Sequence, residues 1–213
     1  MSLSRRLALL ELAGRERMTV LEDDYDSEFR YEGSPIESLQ GLDRWGQVIY
    51  AGTFSKSVLP GLRIGFVVLP EPLVEAFAAA KSLQDGGTPM MEQVVLAEFM
   101  VSGSFERHIR RMRRVDRSRR DAFLATLARE LGDSVSIGPC HGGLTALVNV
   151  DALRKAEDIA ARAAGKGLAV RPATAYYAVA QERSSFLIGF GGLPESQAPE
   201  AVAVLRSAAL DTE

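Results

Sequence analysis

The chain is poor in the residues that build covalent or metal-held frameworks. A single cysteine, Cys140, excludes an intrachain disulfide and fits a reducing cytosol. His108 and His141 are the only histidines. Neither has a cysteine or histidine at ligand spacing, so both read as structural or exposed. No apolar run approaches the roughly 20 residues that cross a bilayer. Arg5 and Arg6 open an amphipathic pattern, but Glu11 and the lack of a cleavage-type segment argue against a signal peptide. The net charge of -3 gives no general reason to expect a nucleic-acid partner. What remains, 46% hydrophobic and 25% charged residues, is ordinary globular composition. A length of 213 residues suffices for a real core.

Against that background one stretch stands out. Val48-Ile49-Tyr50-Ala51 reads as a strand and runs into Gly52-Thr53-Phe54-Ser55-Lys56-Ser57, followed by Pro60-Gly61-Leu62-Arg63-Ile64-Gly65. A lysine that ends a buried strand can be desolvated enough to act as an amine nucleophile and hold an aldehyde as a Schiff base. The hydroxyls around it and Arg63 can hold a phosphate close by. That combination suggests pyridoxal phosphate. The plain alternatives are a solvated surface lysine and an arginine paired with an acidic neighbour.

A second motif lies upstream, in Val20-Leu21-Glu22-Asp23-Asp24-Tyr25-Asp26. Apolar residues from Met18 read as a short buried strand with acidic residues at its C-terminal end, where open α/β sheets bind ligands. Pyridoxal phosphate needs a carboxylate opposite its ring nitrogen and benefits from a phenol near its ring hydroxyl. Asp23 and Tyr25 could supply these, because alternate strand positions share a side. The run could instead be a divalent-metal site or a charged loop. Alternation separates Asp23 from Asp24, which speaks against the metal.

Glu22-Asp23-Asp24-Tyr25-Asp26-Ser27-Glu28-Phe29-Arg30-Tyr31, Gly52-Thr53-Phe54-Ser55-Lys56 and Gly61-Leu62-Arg63-Ile64-Gly65 together resemble the fold-type I aminotransferases. The nearest likeness is to the aminotransferase-like domain of MocR/GabR-type regulators of the GntR superfamily, and it covers nearly the whole chain. The resemblance implies pyridoxal 5'-phosphate as cofactor and no metal. Lys56 would be the Schiff-base lysine, Asp23 the ring-nitrogen partner and Tyr25 the contact to the ring hydroxyl. Arg63, Thr53 and Ser55 would bind the phosphate. It further implies a cytoplasmic homodimer acting on a small amine or amino acid, with no membrane partner and with DNA reached only through a domain outside this chain.

The implied fold class is α/β, a partial fold-type I aminotransferase. Residues 1–103 would form the C-terminal part of the large-domain sheet. Residues 104–213 would form a long linking helix and a small α+β domain. Helices are expected over Leu3–Leu12, Pro72–Leu83, Met90–Val101, Ser104–Leu131, Asp151–Ala164 and Glu195–Leu210. Strands are expected at Val48–Ala51, Arg63–Leu69, Val135–Ile137, Leu144–Val150, Leu168–Val170 and Phe186–Phe190. Arg30 to Trp45 reads as a loop.

Departures from the family pattern shape the functional expectation. Only 22 residues precede Asp23, so the chain is expected to represent the C-terminal part of such a protein. The upstream phosphate loop, the ring-stacking aromatic and the winged-helix domain would then lie outside it. Missing strands would leave a sheet edge and an apolar face uncovered. Leu187, in Phe186-Leu187-Ile188-Gly189-Phe190, stands where the family carries an arginine for the substrate carboxylate. Arg183 and Arg171 are the candidate replacements. Eight arginines between Arg107 and Arg120 read as a solvated amphipathic helix, since Ile109, Met112 and Val115 recur at helical spacing. Three readings follow: a transaminating domain, the effector-sensing domain of a MocR-type regulator, and an inactive remnant kept for dimer contacts.

Overall fold

The first helix, α1 (Leu3–Glu16), begins where Ser2 offers its hydroxyl to the Arg5 amide at 3.4 Å. It ends where Arg17 turns left-handed, with φ 53°, and the Met18 amide returns to Ala13 O at 2.9 Å. In this computed structural model residues 1–33, 36–152, 154–179 and 182–211 are described. They form two compact units: Met1–Glu28 with Gly33–Ile109, and Phe29–Glu32 with Arg110–Glu213.

In the first unit β1 (Val20–Asp24) runs parallel to β2 (Val48–Thr53), which pairs antiparallel with β3 (Gly65–Val68). A short helix, α2 (Leu39–Leu42), lies between β1 and β2 in sequence, inside the stretch expected to be loop. Its N-terminal amides at Leu39 and Gln40 donate to the Glu22 carboxylate at 2.9 and 3.0 Å. Leu10, Leu39 and Val48 close a small core with Leu9, Val20 and Leu42 against it. The entry into β2 is knotted by Asp43, whose carboxylate accepts from the amides of Trp45, Gln47 and Val48 at 2.6 to 2.8 Å. Burial pushes that carboxyl up, but the amide bonds outweigh it and hold it below its usual range.

Packing of this sheet is partial: β2 is half-buried along most of its length, and the strands on either side of it are more exposed. β1 alternates half-buried and exposed rather than being wholly buried, with Leu21 68% exposed. All four residues of β3 are exposed, although Phe66, Val67 and Val68 are apolar. Among the described residues neither β1 nor β3 has a partner on its outer edge. The helices α3 (Glu71–Asp85) and α4 (Met90–Val101) follow, and Leu96 is the only residue buried on either. The long helix α5 (Ser104–Leu131) comes next, its first six residues in this unit and the rest in the second.

The second unit is a four-stranded antiparallel sheet with helices over one face. Its order is β4 (Val135–Ile137), β5 (Thr145–Val150), β7 (Ser184–Gly189), β6 (Arg171–Pro172). Val148, Val150, Phe186 and Ile188 point into a core built with Phe123 and Leu127 of α5, Ile159 of α6 (Ala156–Ala164) and Leu205 of α7 (Ala198–Leu210). The strand expected at Leu168–Val170 is displaced to Arg171–Pro172. The Leu168 amide is spent on Ala163 O at 2.9 Å, closing α6 past left-handed Gly167, so pairing starts later.

Phe29–Glu32 belongs to this second core although the residues on either side of it belong to the first unit. Phe29 and Tyr31 are buried, and the Tyr31 amide donates to His141 O at 2.9 Å. Arg120, itself buried, lies over the Tyr31 ring and binds Glu32, Asp121 and Cys140 O at 2.8 Å each. The arginine-rich part of α5 is therefore not solvated throughout. Asp116 is buried too, with Arg119 at 3.3 Å, and burial pushes its carboxyl up.

Candidate functional site

The acidic run of β1 is sorted by strand alternation. Glu22 faces the helices, bound by Arg6 at 3.1 Å and by the opening amides of α2. Asp24 faces the same way and accepts from Tyr50 Oη at 2.6 Å and the Ser27 amide at 3.1 Å. Burial first, and Asp24 second, lift the Tyr50 phenol far above its ordinary pKa. Asp23 lies on the opposite, exposed side and has no hydrogen bond or ion pair among the described residues. Tyr25 continues that side and is half exposed.

Pairing then brings the other predicted residues to the same end of the sheet. Asp23 lies opposite Ala51, two residues before Thr53, and Thr53 lies opposite Gly65, two residues after Arg63. Beyond β2 the chain closes on itself: Phe54 N–H donates to Ile64 O at 3.0 Å, and Val58 N–H returns to Phe54 O at 2.9 Å. Thr53 Oγ1 accepts from the Ser55 amide at 3.1 Å. Lys56 stands in this turn, exposed, and neither it nor Arg63 has a polar side-chain partner among the described residues. Arg63 holds a left-handed backbone, φ 52°, at the end of the tight turn Pro60–Leu62. Two glycines make the strand pairing possible. A Cβ on Gly52 would meet the Phe66 ring at 2.5 Å, and one on Gly65 would meet Gly52 O at 2.9 Å.

One neighbour of the lysine escaped the sequence reading. His108 Nε2 lies 2.9 Å from Ser57 O and donates to it. A lone histidine in an arginine-rich helix gives no local signal of such a bond. The only hint is its spacing of three from Phe105, which sets both on one helix face.

The remaining candidates lie in the second unit. Arg171 stands directly across from Leu187 in the β6–β7 pair and has no partner among the described residues. Arg183 is engaged, donating to Ser136 Oγ at 3.2 Å with Asp151 4.0 Å away. A cavity of about 460 Å³ is lined by Arg154, Lys155, Glu157, Thr174 and Arg183 among others, and it contains none of the residues predicted for cofactor binding. Among the described residues no group of three His, Cys, Asp or Glu side chains could hold a metal ion. No described helix is long and apolar enough to cross a membrane.

Residues 2–205 match the family model described as aminotransferase class I and II. The chain is 38% identical over 208 residues to an uncharacterized HTH-type transcriptional regulator, YdeL of Bacillus subtilis, covering 98% of this chain and 45% of the relative. It is 34% identical over 213 residues to the probable rhizopine catabolism regulatory protein MocR of Rhizobium meliloti, covering 100% and 43%. The kynurenine aminotransferase of Pyrococcus horikoshii superposes with a TM-score of 0.89 at 33% identity, over 98% of this chain and 52% of that one. LysN, the alpha-aminoadipate aminotransferase of Thermus thermophilus, solved with N-(5'-phosphopyridoxyl)-L-leucine, gives 0.87 at 29%, over 97% and 54%. The chain thus spans about half the length of the proteins it matches, and its fold is a partial one of their kind.

Proposed function

We propose a function from one premise: the chain belongs to the class I and II aminotransferase family. As an aminotransferase-like domain, it would bind pyridoxal 5'-phosphate and move the amino group of a small amine or amino acid. The observation that carries this is the set of charges without partners at one strand end. Asp23, Lys56 and Arg63 offer a carboxylate, an amine and a guanidinium, none spent on the protein among the described residues.

That donor set fits the cofactor. Asp23 would hold the ring nitrogen, Tyr25 the ring hydroxyl, and Thr53, Ser55 and Arg63 the phosphate. When bound, pyridoxal phosphate supplies an aldehyde for amines and a ring that delocalises the electrons of a carbanion. The Asp23 carboxylate would keep the ring-nitrogen proton in place through a charge-assisted bond. Lys56 Nζ would take the proton from the substrate α-carbon and return it. A substrate carboxylate calls for a guanidinium; of the two candidates, Arg183 is tied to Ser136, whereas Arg171 has no side-chain partner among the described residues.

The similarity to HTH-type regulators supports a second reading, in which the same site senses an amine and signals to a DNA-binding domain outside this chain. On either reading we assign residues 1–103 to the cofactor-binding large domain and 104–213 to the linking helix and small domain. We expect a homodimer in the cytoplasm. The test is addition of pyridoxal phosphate, borohydride reduction and peptide mass mapping, with Lys56→Ala as control. A phosphopyridoxyl adduct on Lys56, absent from the variant, is expected. Labelling spread over Lys81, Lys155 and Lys166 instead would sink the proposal. Steady-state transfer from an amine donor to a keto acid would then favour the enzyme over the sensor.

A further inference from the structure

We infer that His108 is a positioning residue for Lys56, and that it works by holding the turn that carries the lysine. The purpose of the grip rests on the cofactor role of Lys56 proposed above, but its existence does not. His108 is half-buried on the second turn of α5, and its Nε2–H donates to Ser57 O at 2.9 Å. A carbonyl can only accept, so Nε2 carries a hydrogen whether the ring is neutral or charged, and the bond outlasts protonation at Nδ1.

The same helical face holds the turn at its other end. The His108 ring lies 6.1 Å from Phe99, Phe99 lies edge-on to Phe105 at 6.2 Å, and Phe105 lies edge-on to Phe54 at 6.1 Å. Phe54 also meets Phe66 of β3 at 5.5 Å. Lys56 therefore sits between two anchored neighbours, the Phe54 ring and the Ser57 carbonyl, both held by residues three apart on α5. The Ser57 hydroxyl adds nothing to this. Ser57 is 1% exposed, and its Oγ has no hydrogen-bond partner among the described residues. The polar tie of the buried residue is its carbonyl.

The consequence concerns reach. The Lys56 side chain is exposed and makes no polar contact among the described residues, so only its backbone is fixed. Fixing the Cα narrows the volume that Nζ searches before it meets a carbonyl carbon, which is how a supporting contact assists a nucleophile without touching it.

Three variants of the 213-residue chain separate the parts. His108→Ala removes ring and donor, His108→Phe keeps a ring against Phe99 without the donor, and His108→Gln restores an N–H without the ring. The first readout needs no cofactor: hydrogen exchange of the amides of Val58 and Leu59, whose bonds to Phe54 O close the turn. Exchange over 54–62 is expected to rise about 5- to 10-fold in the Ala and Phe variants, the equivalent of one lost hydrogen bond. Peptides from β5 and β7 should be unchanged, and the Gln variant should lie within about 3-fold of the parent.

The second readout is the half-saturating pyridoxal phosphate concentration for borohydride-trapped adduct at Lys56. It is expected to rise about 10-fold in the Ala and Phe variants and to be recovered by Gln. Unchanged exchange in His108→Ala would overturn the inference, because neither ring nor donor would then hold the turn, and so would a Phe variant that matches the parent, because ring packing alone would then suffice. If the parent chain forms no adduct at Lys56, the cofactor proposal fails by itself, and the exchange measurement still decides the grip.

Discussion

Two neighbouring carboxylates in β1 have opposite employment, and a single strand step separates them. Glu22 is consumed by Arg6 and by the first amides of α2, whereas Asp23 touches no polar partner among the described residues. Removing the first should therefore cost stability and removing the second should not. Glu22→Ala is expected to lower unfolding stability by about 2 kcal/mol, through the loss of a helix cap and an ion pair. Asp23→Asn should stay within about 0.5 kcal/mol. Urea unfolding measures both. The capture of pyridoxal phosphate at Lys56 should respond the other way, falling in Asp23→Asn while the isolated loss at Glu22 acts only through folding. Equal destabilisation by both changes would contradict this division. The separation of Asp23 from Asp24 onto opposite faces of β1 was legible in the sequence because period-two alternation needs no tertiary information. The His108 bond to Ser57 was not, since its two ends lie 51 positions apart and a histidine has no spacing rule for a carbonyl partner.

Among the elements, helices were the more readable class. α4 and α5 have the bounds that apolar periodicity and their flanking breakers imply, because both signals are local. The short strand β6 was misplaced by three residues, and α2 was missed inside a presumed loop. Both depend on distant partners: Leu187 for the first, Glu22 for the second. The segment Phe29–Glu32 shows the same limit and supports a pH prediction. The Glu32 carboxyl is held below its usual 4.5, first by its bond to His141 and then by Arg120. The folded form therefore takes up a proton less readily than the unfolded chain. Its contribution is complete above about 4.5 and is lost as pH falls through the depressed value. Glu32→Gln should flatten the dependence of stability on pH between about 5 and 3. Thermal unfolding across that range tests it, and parallel slopes for parent and variant would refute it.

Over the whole molecule burial is unevenly shared. Val148, Val150 and Phe186 in the second unit are 0% exposed, while Leu21, Phe66 and Val67 in the first are between 43% and 68% exposed. Local opening is governed by such differences in packing. Amides of β1, β2 and β3 should exchange well ahead of those of β5 and β7, by about 100-fold or more in peptide-resolved hydrogen exchange. Equal protection in the two sheets would show that the first is supported by something other than its small core. Among the described residues the outer edges of β1 and β3 are unpaired.

The excursion of Phe29–Glu32 into the second unit also fixes what can be taken apart. Two of the buried aromatics of that unit, Phe29 and Tyr31, are encoded before β2, and Arg120 closes over one of them. A scission between Ile109 and Arg110 would leave the later piece with a hole where those rings belong. The earlier piece would carry two orphaned hydrophobic side chains with nowhere of their own to go. The polypeptide is stitched, not beaded, because the second unit draws on two separate stretches of the chain.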